Sequence, residues 1–363
     1  MYQNARFWTV PATLAVALSF LALPTLAQQS RQTLGLDLPD VSQGAVVQQT
    51  VGVTHLTVEY HRPGVKEREI FGGLVPYGQV WRSGADENTT FTTTTDVQIE
   101  GQDLPAGTYG FHTIPGEQEW EIIFSKDYRA WGSFAYDEAN DTLRVKVKPQ
   151  AAPEHQEWML FSFTEISESS ATLALTWDSI RVPIEIQVDS HTRTLESIRA
   201  QLTGVARFGW RGPYQAANYC VQNELECEEA MSWVDSSIQN EERFENLSLK
   251  AQLLEAAGDT EQASQLLDKA LAQGSANQLF GYGVRLINQG KAERALEIFE
   301  KNAKANPDAW FVEFGVARGL SALGRFEEAA AQAKISLEKA PNPGAKGFME
   351  AQVKRLEAGE DIN

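Results

Sequence analysis

The sequence predicts a two-domain protein of mixed class: an antiparallel β-sandwich or jelly roll, followed by an α-helical, tetratricopeptide-like solenoid. The first half, residues 46–188, contains short runs of alternating apolar and polar residues separated by turn residues. After residue 188 the apolar residues recur with a helical period, and small residues recur 34 positions apart. A chain of 363 residues is long enough to give each half its own hydrophobic core.

The first 27 residues have the pattern of a secretory signal peptide. Arg6 precedes the apolar run "FWTVPATLAVALSFLALP", and "TLA" ends at Ala27. A basic start, a short apolar segment and a small residue at the cleavage position are typical of such signals. The alternative is a membrane anchor, but Pro11 and Pro24 leave the run short of the roughly 20 apolar residues that a span requires. We therefore expect cleavage after Ala27 and export to the periplasm or beyond, with residues 28–45 as a linker and no membrane span afterwards.

Residues 46–188 predict roughly eight strands with no helix between them. In "VTHLTVEY", Leu56, Val58 and Tyr60 share one face, and polar residues occupy the other. Similar runs follow, among them "GTYGFHTI", "EWEIIFSK" and "EWMLFSFTEI". This pattern predicts a domain built of antiparallel strands and leaves the choice between sandwich and jelly roll open.

Residues 190–360 predict helical repeats of the tetratricopeptide type. Gly290, Ala295 and Pro307 are followed 34 residues later by Gly324, Ala329 and Pro341. This period, with small residues where paired helices touch and proline after the second helix, is typical of tetratricopeptide repeats. The segment "AAGDTEQASQLLDKALAQG" is an earlier copy, "CEEAMSWVDSSI" is the second helix of a divergent copy, and "AKGFMEAQVKRLEAG" is expected to cap the solenoid.

The only two cysteines, Cys220 and Cys227, form a candidate disulfide. An even pair in an exported protein favours a disulfide, and a helix–turn–helix corner in "NYCVQNELECEEA" would bring the two sulfur atoms together. The alternative is a pair of unbonded thiols, whereas metal binding by two isolated cysteines is a weaker interpretation.

The charge pattern excludes one class of partner and marks one region of the β-domain. The formal net charge is −18, and so acidic a surface repels the phosphates of nucleic acids. Of the 11 basic residues between positions 28 and 189, four lie between 62 and 82: Arg62, Lys66, Arg68 and Arg82. The domain thus concentrates its cations around the segment "GLVPYGQVWRSGADENTTF".

Motifs for hydrolytic or metal chemistry are weak. The chain has no Gly-x-Ser-x-Gly elbow, and Ser83 in "WRSGAD" is best interpreted as a turn residue. His61 and His112 together with Asp86 or Glu87 would suit a cupin-like metal site, but five scattered histidines without paired spacing favour ordinary surface positions. We therefore predict no metal and no cofactor.

Two kinds of binding surface are also predicted. Trp120, Trp158 and Trp177 fall within strand patterns and are expected in the core, whereas Trp81 and Trp131 lie in loop-like positions where an indole can serve as a sugar platform. In the repeats, helical spacing predicts an apolar peptide groove with one cation. Its residues are Phe280, Val284, Phe311, Phe314 and Arg318. The alternative is that this face packs against the β-domain or the C-terminal helix.

The β half resembles an exported bacterial family, domain-of-unknown-function family 2911. The matching segments are "VEYHRPGVKEREIFGGLVPYGQVWRSGADENTTF", "LPAGTYGFHTIPG", "EWEIIF", "WGSFAYDEANDTLRV" and "LALTWDSIRVPIEI". Members that are similar to this chain often carry a tetratricopeptide-like second half. The family pattern has Gly-Ala-Asn-Glu after the arginine, whereas this chain has Asp86 in the asparagine position. The resemblance implies no activity.

The resemblance also implies a set of motif residues: Arg62, Arg68, Trp81, Arg82, Gly84, Glu87, Trp131, Tyr136, Asp141 and Arg144. A motif this rich in arginine and carboxylate serves either to hold loops through ion pairs or to bind a carboxylate or sugar. The residues that we single out for ligand binding are Arg62, Arg68, Trp81, Arg82, Asp86, Glu87, His112 and Trp131.

We therefore expect an exported, non-enzymatic binding or scaffold protein and assign no catalytic residue. The repeats are expected to bind a protein partner, and the β-domain a small molecule or glycan. The alternative is an envelope hydrolase, acting on glycan or peptide, with a pocket around Arg82, Glu87 and His112. Adjacent side chains on a strand point to opposite faces, so Asp86 and Glu87 make a poor catalytic pair unless a turn redirects them.

Overall fold

The computed structural model describes residues 39–363, and the predicted signal peptide lies outside the described residues. The first part of this range is built from antiparallel strands. They are β1 (Gly44–Val51), β2 (Thr54–His61), β3 (Thr90–Thr93), β4 (Val97–Ile99), β5 (Gln102–Leu104), β6 (Gly107–Ile114), β7 (Trp120–Ser125), β8 (Asp141–Val147), β9 (Gln150–Thr164) and β10 (Ser170–Gln187).

The strands form two sheets that enclose one core. The larger sheet has the order β1-β2-β3-β6-β7-β8, and the smaller sheet has the order β5-β4-β10-β9. Ring contacts join the sheets, since Phe161 of β9 meets Phe111 of β6 with centroids 5.5 Å apart and Tyr60 of β2 at 4.9 Å. The predicted antiparallel β-domain is confirmed, and the two packed sheets make it a sandwich.

Strand alternation correctly predicts most of the core. In β2 the buried positions are Leu56, Val58 and Tyr60, as the period of two requires. Trp120 and Trp177 are buried, but Trp158 is 43% exposed, so its predicted core position is wrong. The pairing of β9 with β10 shifts register around Asp178, leaving extra residues in β9 next to Trp158. Such a bulge redirects side chains out of the regular alternation.

Ten α-helices follow within the described range. They are α1 (Ser190–Gln201), α2 (Arg211–Gln222), α3 (Ala230–Asn240), α4 (Phe244–Ala256), α5 (Thr260–Gln273), α6 (Ala276–Asn288), α7 (Ala292–Ala305), α8 (Val312–Ala322), α9 (Phe326–Glu338) and α10 (Pro343–Glu357). Each even-numbered helix from α2 to α8 packs against the helix that follows it, and α10 packs against α9. Successive pairs also touch, as α7 packs against α8 and α6 against α8. The predicted helical solenoid is confirmed. Within residues 39–363 we find no helix whose length and hydropathy would suit a membrane span.

The 34-residue regularity corresponds to one recurring corner. Gly290 and Gly324 both have φ of +73°, the left-handed region in which glycine avoids steric strain. After each glycine the next amide reaches back across the helix end, Lys291 to the Leu286 carbonyl and Arg325 to the Leu320 carbonyl, at 2.9 Å. This is the Schellman arrangement that ends a helix and reverses the chain. The repeated glycine therefore fixes where each first helix ends.

Polar contacts join the two domains at α1. Arg193 forms an ion pair with Asp96 at 3.2 Å, and the Ser190 hydroxyl donates to the Glu168 carbonyl at 2.7 Å. An open cavity of about 570 Å³ lies at this junction. The buried apolar residues of the β-domain end at Val188, and those of the repeats form separate clusters. Each domain thus has its own core.

Candidate functional site

The connection between β7 and β8, residues 126–140, folds across the middle of β6, where Gly110 allows its close approach. A Cβ at Gly110 would lie 2.8 Å from the Asp127 carbonyl oxygen and 3.3 Å from Tyr128 Cα. The Asn88 side chain donates to the same carbonyl at 3.4 Å. This connection, which we call the β7–β8 loop, therefore covers His112 and meets the segment that contains Arg82.

Three motif residues hold the β7–β8 loop in place. The Tyr136 hydroxyl donates to Asp141 Oδ2 at 2.6 Å, and Arg144 donates from Nε to the same oxygen at 2.8 Å and from Nη2 to the tyrosine oxygen at 2.6 Å. Burial and the hydrogen bond to Asp141 raise the pKa of Tyr136 to about 12. Arg144 also pairs with Glu121 at 3.1 Å. A tyrosine, a carboxylate and an arginine that satisfy one another in this way stabilise a loop.

His112 lies beneath the loop with 2% of its surface exposed. Its Nδ1 is 3.1 Å from the Ser133 hydroxyl, and its ring is 5.3 Å from that of Tyr136. Burial lowers the pKa of His112 to about 4, although Asp141 and Asp127 act in the opposite direction. At neutral pH the imidazole is therefore uncharged and contacts the loop rather than solvent.

Arg82 lies at the edge of the loop and lacks a close acidic partner. Its Cζ is 5.9 Å from the ring centroid of Trp131. Within residues 39–363 no carboxylate oxygen is within 4.0 Å of its guanidinium, and its buried Nε has no hydrogen-bond acceptor. Burial lowers the pKa of Arg82, while Asp86 and Glu87 act more weakly in the opposite direction. A half-buried cation in this state favours an anion next to it.

Beside Arg82 the loop exposes two stacked aromatic rings. Trp131 and Phe134 have centroids 6.0 Å apart and planes inclined by 15°, yet 60% of the tryptophan and 84% of the phenylalanine are exposed. We call this pair the loop platform. The sequence pointed to Trp131 but missed Phe134, although its spacing from Trp131 in a glycine-containing loop was a usable signal.

Asp86 and Glu87, the acidic residues of the segment "GLVPYGQVWRSGADENTTF", differ in surroundings and conformation. Glu87 lies 3.6 Å from His61 Nδ1, on the side of β2, whereas Asp86 has φ of +55°. Asparagine and aspartate adopt this left-handed conformation more readily than most residues, which explains why Asp86 can replace the family asparagine. Ser83 is buried, and its hydroxyl donates to Thr113 at 3.0 Å. The structure therefore pairs Glu87 with His61 and His112 with Ser133, and it gives Ser83 a role in the turn.

The remaining predicted residues lie apart from the loop platform. Arg62 donates to the Met159 carbonyl at 2.8 Å, and Arg68 donates to the carbonyls of Val65 and Gly64 at 3.1 and 2.6 Å. Trp81 stacks on Trp177 inside the sandwich, with centroids 5.7 Å apart. These side chains hold backbone or core in place. Within the described range, no group of three or more His, Cys, Asp or Glu side chains is placed to hold a metal ion.

The β-domain, which contains the motif residues around the β7–β8 loop, also matches a family model. Residues 42–186 match the family model described as "Protein of unknown function (DUF2911)". The β-domain carries the DUF2911 pattern. The resemblance inferred from the motifs is thus confirmed over this domain, and the DUF2911 residues Arg82, Trp131, Tyr136, Asp141 and Arg144 all lie at or under one loop. No curated protein matches the chain.

Solved structures similar to this chain match its helical part. "YrrB: a TPR protein with an unusual peptide-binding site" is 15% identical, covers 46% of this chain and 91% of its own, and has a TM-score of 0.26. A structure of MamA is 16% identical over 41% of this chain and 92% of its own, with a TM-score of 0.28. MamA from Desulfovibrio magneticus RS-1 is 16% identical over 43% and 90%, with a TM-score of 0.26. We assign the tetratricopeptide-like repeats from the packing of the helix pairs described above and not from these similarities.

A ladder of phenylalanines lies on the first helices of the last repeats. Phe280, Phe314 and Phe348 are spaced by 34 residues, one on each of α6, α8 and α10. Phe314 lies 6.4 Å from Phe280 and 5.5 Å from Phe348, centroid to centroid. The last ring, Phe348, is 48% exposed. The sequence pointed to Phe280 and Phe314 but missed Phe348, which the same spacing identifies.

The other predicted groove residues divide between this ladder and the chain's own last residues. Phe311 contacts Phe280 at 5.6 Å, and Val284 is half-buried on α6. Arg318 instead donates to the Asn363 side chain at 2.9 Å, and Ser321 donates to Asp361 at 2.7 Å. Ile362 is buried in the core between them. Residues 361–363 therefore occupy the Arg318 end of the face, and the ladder remains accessible at Phe348.

The two cysteines are joined. Cys220 lies at the end of α2, and Cys227 precedes α3, with the two Cα atoms 6.0 Å apart. Glu224 takes φ of +53° in the turn between them. The bond closes the corner between the helices of the first pair.

Proposed function

We propose that this protein is an exported, non-enzymatic binding protein whose helical repeats bind a protein segment while its β-domain binds a small ligand at the cell envelope. The observation that carries the proposal is the phenylalanine ladder. Three rings at one repeat position form a continuous apolar stripe along consecutive first helices, the helices that line the inner face of such solenoids. Aromatic anchors on a rigid helical surface suit an amphipathic helix or an extended apolar peptide.

The accessible end of the ladder allows a direct test of protein binding. A photo-cross-linking amino acid is introduced at position 348, on the ladder, or at position 335, on α9. Ile335 is 38% exposed and lies on a second helix, so it controls for apolar exposure alone. We expect a discrete protein adduct from position 348 and none from position 335 when cells are irradiated. Equal labelling from both positions would contradict binding at the inner face.

Export is tested separately from binding. The pattern before Ala27 supports removal of the first 27 residues, so the mature chain should begin at Gln28. Cell fractionation and N-terminal sequencing of the purified protein measure this directly. If the protein is instead recovered from the cytoplasm with residues 1–27 still attached, the proposed location at the cell envelope is wrong. The proposed binding role would be unaffected.

The contacts of His112 and Glu87 favour binding over hydrolysis. A general base must reach the proton that it abstracts, but His112 is buried under the loop, and Glu87 pairs with His61 instead. The hydroxyl near His112 belongs to Ser133, whose backbone carbonyl accepts from the Tyr136 amide within the same loop. The same arrangement that hides His112 leaves Arg82 and the loop platform at the surface, where a ligand can bind.

A further inference from the structure

We infer that the loop platform and Arg82 together form a binding site for a carboxylated saccharide of the uronic acid type. This inference rests on the proposed function, because it names the class of ligand that the β-domain takes. The family description names no ligand for the β-domain.

The first argument is the shape and accessibility of the platform. Trp131 and Phe134 offer nearly parallel, exposed rings on a domain whose other large aromatic side chains mostly lie in the core. A peptide side chain gains most of its affinity in a closed, desolvated pocket, which an open platform does not provide. A pyranose ring differs because one face presents C–H groups that stack on an indole while its hydroxyls stay hydrated. A flat, open aromatic surface therefore favours a sugar.

The second argument is the charge beside the platform. Arg82 lies 5.9 Å from the Trp131 ring, and within residues 39–363 it has no carboxylate within 4.0 Å. Its Nε is buried without an acceptor, so the two terminal nitrogens are the donors left to face an oxygen pair. A carboxylate matches this fork in a bidentate fashion. A ligand that stacks on Trp131 and extends a carboxylate toward Arg82 satisfies both features at once.

The third argument is rigidity. The loop that carries the platform is held by Tyr136, Asp141 and Arg144, by the contact of Ser133 with His112, and by Asn88 on the Asp127 carbonyl. A platform held in one conformation loses little conformational entropy when a ligand binds. The family motif residues beneath the loop thus act as positioning residues for the two aromatic rings that contact the ligand.

The test compares an acidic and a neutral saccharide on the full mature chain. Trigalacturonic acid is the probe, and the corresponding galactose trimer, which has a hydroxymethyl group in place of each carboxylate, is the neutral control. Binding is measured by isothermal titration and by the fluorescence of the tryptophans. We expect the acidic trimer to bind at least about tenfold more tightly, since a charge-assisted pair to arginine is worth that factor or more.

Matched variants assign the site. Trp131→Ala and Phe134→Ala should weaken both trimers, the first by about tenfold. Arg82→Gln should remove the preference for the acid while leaving the weaker neutral binding. Phe208→Ala is the control, because Phe208 is also exposed beside an arginine, Arg207 at 5.3 Å, but lies in the helical domain. Phe208→Ala should bind both trimers as tightly as the unchanged protein does.

Two results would overturn the inference: equal affinity for the acidic and neutral trimers, or unchanged affinity in Trp131→Ala. If Arg82→Gln fails to fold, the salt dependence of the unchanged protein decides instead, since only the acidic trimer should weaken as ionic strength rises. The outcome is independent of the adduct at position 348. If no adduct forms, the proposed role of the repeats is wrong, but saccharide binding can still be correct. If the saccharides fail to bind, the inference about the β-domain is wrong, but the role of the repeats is unaffected.

Discussion

At the scale of single residues, burial decides what each motif side chain can do. His112 and Arg82 both border the β7–β8 loop, but the loop buries the histidine and leaves the arginine partly exposed. The desolvated imidazole is uncharged at neutral pH, whereas the guanidinium keeps its charge and faces the Trp131 ring. The same loop therefore gives one residue a structural role and leaves the other as the cation of the proposed ligand site.

His112 predicts a dependence of stability on pH. Its pKa in the folded protein, about 4, lies below the ordinary value of 6.5, so the unfolded chain takes up the proton first as pH falls. The stability associated with the neutral ring is complete above about pH 6.5 and is lost as pH falls toward 4. Between pH 7 and pH 4 the free energy of unfolding should therefore fall by up to about 3 kcal/mol more in the unchanged protein than in His112→Gln. Urea unfolding at both pH values measures this, and equal losses in the two proteins would contradict it.

Gly110 predicts a steric effect on the loop. In Gly110→Ala the new methyl group would lie 2.8 Å from the Asp127 carbonyl, so the β7–β8 loop must move. We expect a loss of about 1–3 kcal/mol in the free energy of unfolding. Gly281→Ala is the control, since Gly281 is exposed within α6 with no atom within 4 Å of the new carbon. That change should stabilise the protein by about 0.5–1 kcal/mol, because alanine favours a helix interior. A neutral effect of the first substitution would show that the loop is not closely packed there.

At the scale of elements, the 34-residue spacing determines both the corners of the solenoid and the apolar stripe on its first helices. Gly290 and Gly324 end their helices in the same conformation, so the following helices leave at similar angles. Phe280, Phe314 and Phe348 then fall on one stripe because equal spacing on equivalent helices places them in equivalent positions. The apolar stripe thus follows directly from the regularity of the helices.

The disulfide predicts a stability effect on the first helix pair. The bond between Cys220 and Cys227 closes a short loop, for which loss of unfolded-state entropy is worth about 2–3 kcal/mol. Replacing both cysteines with serine should lower the unfolding free energy of the helical domain by this amount. Hydrogen exchange should show the faster opening concentrated in α2 and α3. Uniformly faster exchange across α4 to α10 would contradict a local role for the bond.

At the scale of the whole molecule, two cores are joined by polar contacts. The buried apolar cluster of the β-domain is formed by side chains that lie between residues 51 and 188. The main cluster of the repeats is formed by side chains that lie between residues 244 and 362. Arg193 and Ser190 link the domains through an ion pair and a hydrogen bond. Exposed ion pairs contribute little to stability, so the domains should unfold separately.

Core substitutions test this independence. Phe161→Ala removes a ring from the sandwich core, and Phe299→Ala removes one packed against Gly283 and Gly315 in the repeats. Each should cost about 3–5 kcal/mol in its own domain. Calorimetry should then show two transitions, with the first variant lowering one midpoint and the second variant lowering the other. A single transition that both variants shift together would show that the domains are energetically coupled.

Part of the candidate site was predictable from the sequence. The motifs pointed to Arg82 and Trp131, and the repeats pointed to Phe280, Phe311 and Phe314, because composition and spacing are local properties. Phe134 and Phe348 were missed although their spacing was visible. The contact of Glu87 with His61, and the contact of Arg318 with Asn363, depend on which strands and helices are neighbours. No local pattern contains that information.

The sequence by itself determined the class of each half, the 34-residue repeat and the cysteine pair, because periodicity and turn residues act over a few positions. Only the tertiary structure decided the course of the β7–β8 loop, which buries His112, leaves Arg82 beside an exposed platform and joins Tyr136 to Arg144. It also decided that residues 361–363 lie against α8. These arrangements depend on contacts between residues far apart in the chain, and the free energy of such contacts is set by burial and charge in the folded protein rather than by local sequence.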